Sequence, residues 1–374
     1  MQNIEHTCII EAMIITDDNT TKHENTTRSD GDAPPNYALF GEILASYMST
    51  TSRALYLWNE NSCHIDAWLV MELVALGNPF GGRCADIGNL VKHSKGLKQL
   101  LRVLVAAGTD AQDELRDTLH RMHAEHSYGA PYGHVDDAMI HIRILHIQDR
   151  HVQAHRDDRV VQFGVTYTCT KCGRTKKKSE LSPMLYLDAD YVPWDDQQKV
   201  HGPNGDSYIT DAERTAPIRI KTIAESVDRS LNQPCMSQCK LCVTNTYRRT
   251  VNTPSVCLPR LLILNKIPGV GRHNFVWTPQ LNVGKIPYML VGVLAKSSNH
   301  WLTVFLKDNT WYVYNDLSPA PTRAKRNLIG TPVVPSGFQA IVWYYVTGLE
   351  KANRKYTPQA SYATDRYHVF NELS

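Results

Sequence analysis

The chain has 374 residues, enough to bury one large core or two modest ones, and its 42% hydrophobic and 21% charged residues are ordinary for a globular protein. Lys and Arg number 40 against 37 Asp and Glu, so a formal charge of +3 calls for no polyanionic partner, and no nucleic acid is expected as a ligand. No stretch approaches the roughly 18 apolar residues of a membrane-spanning helix, so no membrane partner is expected.

The amino-terminal MQNIEHTCIIEAMII has an early Glu and no basic region, which predicts no secretory signal. Residues 16–36 are polar, rich in Thr, Asn and Asp, and end in Pro34-Pro35-Asn36. Such a segment cannot bury enough surface to offset its ordering entropy, so it reads as a flexible tail. Helical patterns dominate from Cys63 to about His155. Leu97, Leu100, Leu101, Leu104 and Val105 recur at helical spacing, and Leu115 and Leu119 mark one face of Gln112–His123. From Arg159 the pattern turns to strands: Val160–Tyr167, Leu261–Leu264, Met289–Leu294, Leu302–Leu306, Trp311–Tyr314 and Ala340–Tyr345. A helical half followed by a strand half predicts an α+β architecture. The short basic run Arg174, Lys176, Lys177, Lys178 reads as a solvated loop.

Three motifs carry chemistry. In Trp58-Asn59-Glu60-Asn61-Ser62-Cys63-His64-Ile65-Asp66, the residues Ile65, Trp68, Leu69, Leu73 and Leu76 continue at helical spacing until Gly77-Asn78-Pro79. Asn61 or Ser62 suits the N-cap and Asp66 the first turn, so Cys63 falls at a helix amino terminus. The macrodipole and unpaired N–H groups there favour the thiolate, the nucleophilic form. Asn59 and Asn61 offer side-chain N–H donors for an acyl oxyanion. The plainer reading of this segment is a buried structural cysteine.

The second motif runs from Asn299-His300-Trp301 to Tyr314-Asn315-Asp316 around a Lys307-Asp308-Asn309-Thr310 turn. Antiparallel pairing brings the two ends together, so an amide or carboxylate can accept from one nitrogen of His300. The other nitrogen is then a base for a thiol. The plainer reading is a strand-end histidine beside an ordinary turn acid. Cys, His and Asn/Asp in this order together suit acyl transfer to a thiol.

The third motif is Cys169-Thr-Lys-Cys172 and Cys239-Lys-Leu-Cys242, separated by 66 residues. Four thiolates close a tetrahedral structural Zn²⁺ site, with Cys235 as a spare. Nine cysteines, an odd number, with four in these pairs fit a reducing compartment, cytoplasmic or nuclear. Eight histidines lie between His120 and His155 without a matching carboxylate or cysteine pattern and read as a solvated helical face. Gly269-Val-Gly271-Arg272 lacks the strand–turn–helix setting of a phosphate loop.

Taken together, these pieces resemble the ubiquitin-specific protease family. Asn61-Ser62-Cys63 is similar to the family's Asn-Thr-Cys, Gly133-His134-Val135-Asp136-Asp137-Ala138 to its Gln-Asp-Ala box, and the two C-x-x-C pairs to its fingers. Leu261–Leu264, Tyr288–Leu294 with His300-Trp301 and Trp311–Asp316, and Ile341–Tyr345 resemble its later strands, in the same order. The resemblance implies a papain-like cysteine protease with a helical thumb, a β palm and zinc-bearing β fingers. It divides the chain into a tail (1–50), thumb (51–158), fingers (159–250), palm (251–350) and a second tail (351–374). Cys63 is the implied nucleophile, His300 the base, Asn315 the third member and Asp316 an adjacent acid. Cys169, Cys172, Cys239 and Cys242 are the implied Zn²⁺ ligands.

The chain departs from the pattern at Trp58, where the family has its oxyanion Asn, at Asn299 in place of a Gly, and at His141-Ile142 in place of Glu-Phe. The implied substrate is a conjugate of ubiquitin or a ubiquitin-like modifier. A SUMO-directed isopeptidase, an inactive ubiquitin-binding zinc module and a transglutaminase-like acyl transferase are the alternatives.

Overall fold

The structure is a computed structural model that describes residues 40–45, 55–56, 59, 61–78, 95–107, 109–125, 132–133, 138–148, 159–169, 171–187, 220–223, 227, 231, 236–237, 247–266, 274–318, 320–349 and 353–356. Its elements mix helix and sheet. Helices α1 (Cys63–Gly77), α2 (Lys95–Val105), α3 (Gln112–Ala124) and α4 (Ala138–Gln148) come first. Strands β1 (Val161–Cys169), β2 (Thr175–Ser182), β3 (Leu185–Leu187), β4 (Ile220–Thr222), β5 (Met236–Ser237), β6 (Tyr247–Cys257) and β7 (Leu261–Lys266) follow. The remaining strands are β8 (Asn274–Val276), β9 (Gln280–Val283), β10 (Ile286–Lys296), β11 (Trp301–Lys307), β12 (Thr310–Tyr314), β13 (Thr322–Arg323) and β14 (Gln339–Val346). No helix among the described residues is long and apolar enough to cross a membrane.

The chain separates into two compact units. The first comprises Met1–Arg156, Gly292–Lys325 and Pro332–Ala340, and the second Asp157–Val291, Arg326–Thr331 and Ile341–Ser374. In the first unit α1 is the central element. Every residue from Cys63 to Leu76 is buried, the polar His64, Asp66 and Glu72 along with the apolar majority. It packs on β11 and α4, and Thr303 Oγ1 donates to the Ala67 carbonyl at 2.7 Å. The strands on which it lies form an antiparallel ladder, β10 with β11 from Gly292↔Phe305 to Lys296↔Trp301, and β11 with β12 from Thr303↔Tyr314 to Lys307↔Thr310. The β11–β12 turn places Asp308 and Asn309 at φ 47° and 58°, the paired left-handed conformation of a two-residue hairpin loop.

The histidines correct the expectation of a solvated face. His120, His123 and His141 are buried together with His64. His64 Nδ1 lies 2.8 Å from His141 Nε2, and His123 Nδ1 lies 2.7 Å from His141 Nδ1. The rings stack on one another and on Trp68. Burial pushes His141 well below the ordinary imidazole range, and its imidazole neighbours add to this. An imidazole is flat enough to stack and can satisfy its own kind, which lets a row of polar rings serve as core. His146 has its backbone in α4, while His126, His134, His151 and His155 lie outside the described residues.

In the second unit β2, β1, β6 and β5 form an antiparallel sheet in that order, β14 pairs with β7 and β7 with β3. The β1–β2 hairpin closes on the first C-x-x-C pair, in register from Val161↔Ser182 to Thr168↔Thr175. Cys169 pairs with Tyr247, and Tyr247 with Ser237.

Candidate active site

The first unit brings the early cysteine and the late histidine motif to one place. Cys63 is the first residue of α1 and is 1% exposed. Its Sγ lies 3.9 Å from the carbonyl oxygen of Asn299, the residue before His300. Burial pushes the thiol up to about 11; a hydrogen bond with the Trp301 backbone opposes this, and the charges of Asp316 and Asp66 add to it. A helix start therefore does not suffice to ionise this sulfur. The turns of dipole and free amide are outweighed by the loss of water.

His300 stands before β11 and Asn315 just past β12, so the register that pairs Thr303 with Tyr314 sets them side by side. His300 Nε2 is 2.9 Å from Asn315 Oδ1. The same Oδ1 accepts the Leu317 N–H at 3.1 Å, which fixes the amide with its oxygen towards the ring. An amide oxygen can only accept, so Nε2 carries the imidazole proton and Nδ1 is the basic nitrogen. Asp316 Oδ1 lies 3.3 Å from the same Nε2, and this carboxylate is 2% exposed. Burial raises Asp316 to about 6, against the pull of His300. Phe338 meets the His300 ring edge-on, with centroids 6.0 Å apart.

The two upstream asparagines turn elsewhere. Asn59 Nδ2 donates to Asp117 Oδ2 at 3.4 Å, and Asn61 Nδ2 to the Gly133 carbonyl at 2.8 Å. Asn61 sits at φ 63°, which an Asn tolerates better than most residues. Ser62 holds the N-cap position but makes no capping bond to the helix backbone. Its hydroxyl donates to Asp66 Oδ2 at 2.6 Å.

Sequence reasoning passed over Asp66 and Arg116 as partners, although both are buried and lie 3.4 Å apart. The available signal was an arginine between Asp113 and Asp117 that falls at helical spacing with Gln112, Leu119, His120 and His123, the residues this helix buries.

Of the four candidate metal ligands, Cys169 and Cys172 are described and Cys239 and Cys242 lie outside the described residues. Cys169 Sγ accepts the Cys172 N–H at 3.4 Å, the Gly173 N–H reaches the Cys169 carbonyl at 2.9 Å, and Gly173 adopts φ 70°. A backbone donor aimed at sulfur and a left-handed glycine are what a thiolate-bearing turn needs, so this half fits a zinc ion. Among the described residues no group of three or more His, Cys, Asp or Glu is arranged to hold a metal.

The sequence matches no protein-family model and no curated protein. The fold is similar to several solved structures. One is the SAGA Ubp8/Sgf11/Sus1/Sgf73 DUB module bound to ubiquitin aldehyde, at 12% identity over 80% of this chain and 70% of that one, with a TM-score of 0.47. Another is the yeast SAGA DUBm with a mutant Sgf73, at 12% identity over 80% and 69%, TM-score 0.49. The Ubp8-Sgf11-Sgf73-Sus1 module gives 12% identity over 81% and 69%, again at 0.49.

Proposed function

We propose that the chain is a cysteine isopeptidase that hydrolyses the bond after the C-terminal Gly of ubiquitin or a ubiquitin-like modifier, on a papain-like scaffold. The observation that carries this reading is the His300–Asn315 pair, 2.9 Å apart, with the Cys63 sulfur against the backbone that leads into His300. The order of motifs and their resemblance to ubiquitin-specific proteases supply the substrate class.

In this reading Nδ1 of His300 removes the Cys63 proton as sulfur attacks the terminal glycine carbonyl. The imidazolium then protonates the departing lysine amine, leaving a thioester. Water adds to the thioester as His300 takes one of its protons, and the thiol is regenerated. Burial holds the free thiol above its ordinary value, which makes a base beside it necessary for attack. Asn315 holds the ring and its tautomer, and Asp316 favours the imidazolium once it forms. Cys169, Cys172, Cys239 and Cys242 would hold a structural Zn²⁺, which ties the β1–β2 turn to the segment between β5 and β6. The strand ends flanking that segment pair next to Cys169, which supports the assignment.

The test is hydrolysis of C-terminal fluorogenic substrates built on ubiquitin, SUMO and related modifiers, with Cys63→Ala as control. Unchanged turnover in that variant would sink the proposal. The second reading, an inactive module that binds a modifier, draws on the raised thiol and on the engaged amides of Asn59 and Asn61. Modifier binding without covalent capture by an electrophilic modifier probe would select it. Glutamine-to-amine transfer in the absence of modifier hydrolysis would select a transglutaminase-like reaction instead.

A further inference from the structure

A closed circuit of polar contacts surrounds the turn from which Cys63 emerges. The Asn59 N–H donates to Ser62 Oγ at 2.9 Å and the Ser62 N–H returns to the Asn59 carbonyl at 2.9 Å. Ser62 Oγ donates onward to Asp66 Oδ2 at 2.6 Å, and Arg116 Nη1 meets Asp66 Oδ1 at 3.4 Å. The guanidinium then turns its Nε to Asp117 Oδ1 at 3.1 Å, and Asp117 Oδ2 accepts from Asn59 Nδ2 at 3.4 Å. The path leaves the turn at Ser62 and comes back to it at Asn59. Asp113 provides Arg116 with a further carboxylate at 3.4 Å.

A buried acid–arginine pair is an expensive way to fill space. Asp66 and Arg116 are 0% and 1% exposed, and apolar residues of similar size commonly serve a core as well or better. What a charged fork adds is direction: its nitrogens are fixed relative to one another, so it sets the distance between the two carboxylates it touches. Here those carboxylates bear on the two ends of a four-residue turn, and the next residue is the thiol. Burial opposes the charge on Arg116, but Asp66, Asp117 and Asp113 outweigh it, so the guanidinium stays charged. Burial raises Asp66 to about 8, with Arg116 and Ser62 opposing, so this side of the circuit rests on the hydrogen bonds of its carboxyl to Ser62 and Arg116.

We propose that Arg116 is a positioning residue: through Asp66–Ser62 on one side and Asp117–Asn59 on the other it holds the 59–62 turn, and with it the attack geometry of Cys63. The inference rests on Cys63 being the nucleophile of the proposed isopeptidase. A displacement on the order of 1 Å at a reacting atom costs about 100-fold in rate, so the loss appears in kcat while substrate affinity is retained.

The test uses the full chain with Asp117→Ala and Ser62→Ala. Each opens the circuit without stranding Arg116 or Asp66 from the other, and Asp117 is near enough to the surface for its loss to spare the fold. Active sites are counted with the electrophilic modifier probe, and kcat is expressed per labelled site. The expected result is a fall of about 10- to 100-fold in kcat per site with KM unchanged. Ser62→Thr, which keeps the hydroxyl, restores most of it. A purely structural role lowers the number of labelled sites and the melting temperature and leaves kcat per site untouched; that outcome overturns the proposal. If the wild-type protein takes no modifier probe and turns over no substrate, the isopeptidase reading falls by itself. The circuit is then read from the pH profile of iodoacetamide alkylation at Cys63. Loosening the turn exposes the sulfur and moves its profile to lower pH in both variants, whereas a profile unmoved in both overturns the circuit as well.

Discussion

Cys63 and Cys169 are both 1% exposed, yet their surroundings prepare them for opposite chemistry. Around Cys63 stand a carbonyl oxygen at 3.9 Å and the carboxylates of Asp316 and Asp66, which favour a sulfur that keeps its proton. Around Cys169 a turn aims the Cys172 amide at the sulfur, and Gly173 bends the chain so that the donor can reach. Both sulfurs are equally hidden from solvent and both meet backbone N–H donors; what differs is that at Cys63 burial and the charges of Asp316 and Asp66 outweigh the Trp301 and His64 donors. A cysteine's role is therefore read from what points at it, and a position at the start of a helix is a minor contribution once water is excluded.

The largest effect expected from this contrast is at Cys63. Cys63→Ala lowers turnover of a modifier substrate by at least about 10⁴-fold and abolishes probe labelling, while the melting temperature stays close to that of the wild type. At Cys169 the pattern inverts. The outcome expected there is one equivalent of zinc by elemental analysis of the purified protein, removed by Cys169→Ser or a strong chelator with a fall of about 5–10 °C in melting temperature. Retained zinc in Cys169→Ser would break the comparison. Next comes Asn315→Ala, which frees the imidazole to rotate and costs about 100-fold in kcat.

The smallest expected effect changes sign between activity and stability. Asp316 is raised from its ordinary value to about 6 by burial, so the folded protein holds this proton more tightly than the unfolded chain does. Its stabilising contribution is therefore complete below about pH 4 and is lost as pH rises through about 6. At pH 7.5 the buried charge is a net cost, so Asp316→Asn raises stability by on the order of 1–3 kcal/mol, and the gain disappears below about pH 4. The same substitution removes one of the charges that hold up the Cys63 thiol, so the alkylation profile at Cys63 shifts to lower pH while turnover falls. Equal melting curves at pH 7.5 and pH 4 for the two proteins would contradict this account.

The β11–β12 hairpin was legible because three signals agree: an apolar run in Trp301–Leu306, aromatics in Thr310–Tyr314, and a two-residue Asp-Asn turn that accepts positive φ. Helix α1 was legible for a similar reason, since an apolar run closed by Gly77-Asn78-Pro79 leaves few other conformations. The buried histidine row was not, because a spacing of three along α3 looks the same whether the face meets water or other imidazoles. What decides it is His64 and His141, which arrive from α1 and α4. That row has its own pH signature. Folding depresses His141, so the unfolded chain binds more protons in acid, and stability falls as pH drops below about 6.5. The side chains of Asn59 and Asn61 escaped prediction because hydrogen-bond partners far along the chain, Asp117 and Gly133, compete for them.

Gly292 has no side chain at the point where β10 passes Met71 of α1; a Cβ there would run into the Met71 sulfur and methyl group. The gap between α1 and β10 is thus gauged by a single missing methyl. Bulk at positions 71 and 292 is shared: a side chain gained at 292 requires the flexible end of Met71 to swing away or be trimmed, and a library randomised at both is expected to be enriched in reciprocal pairs.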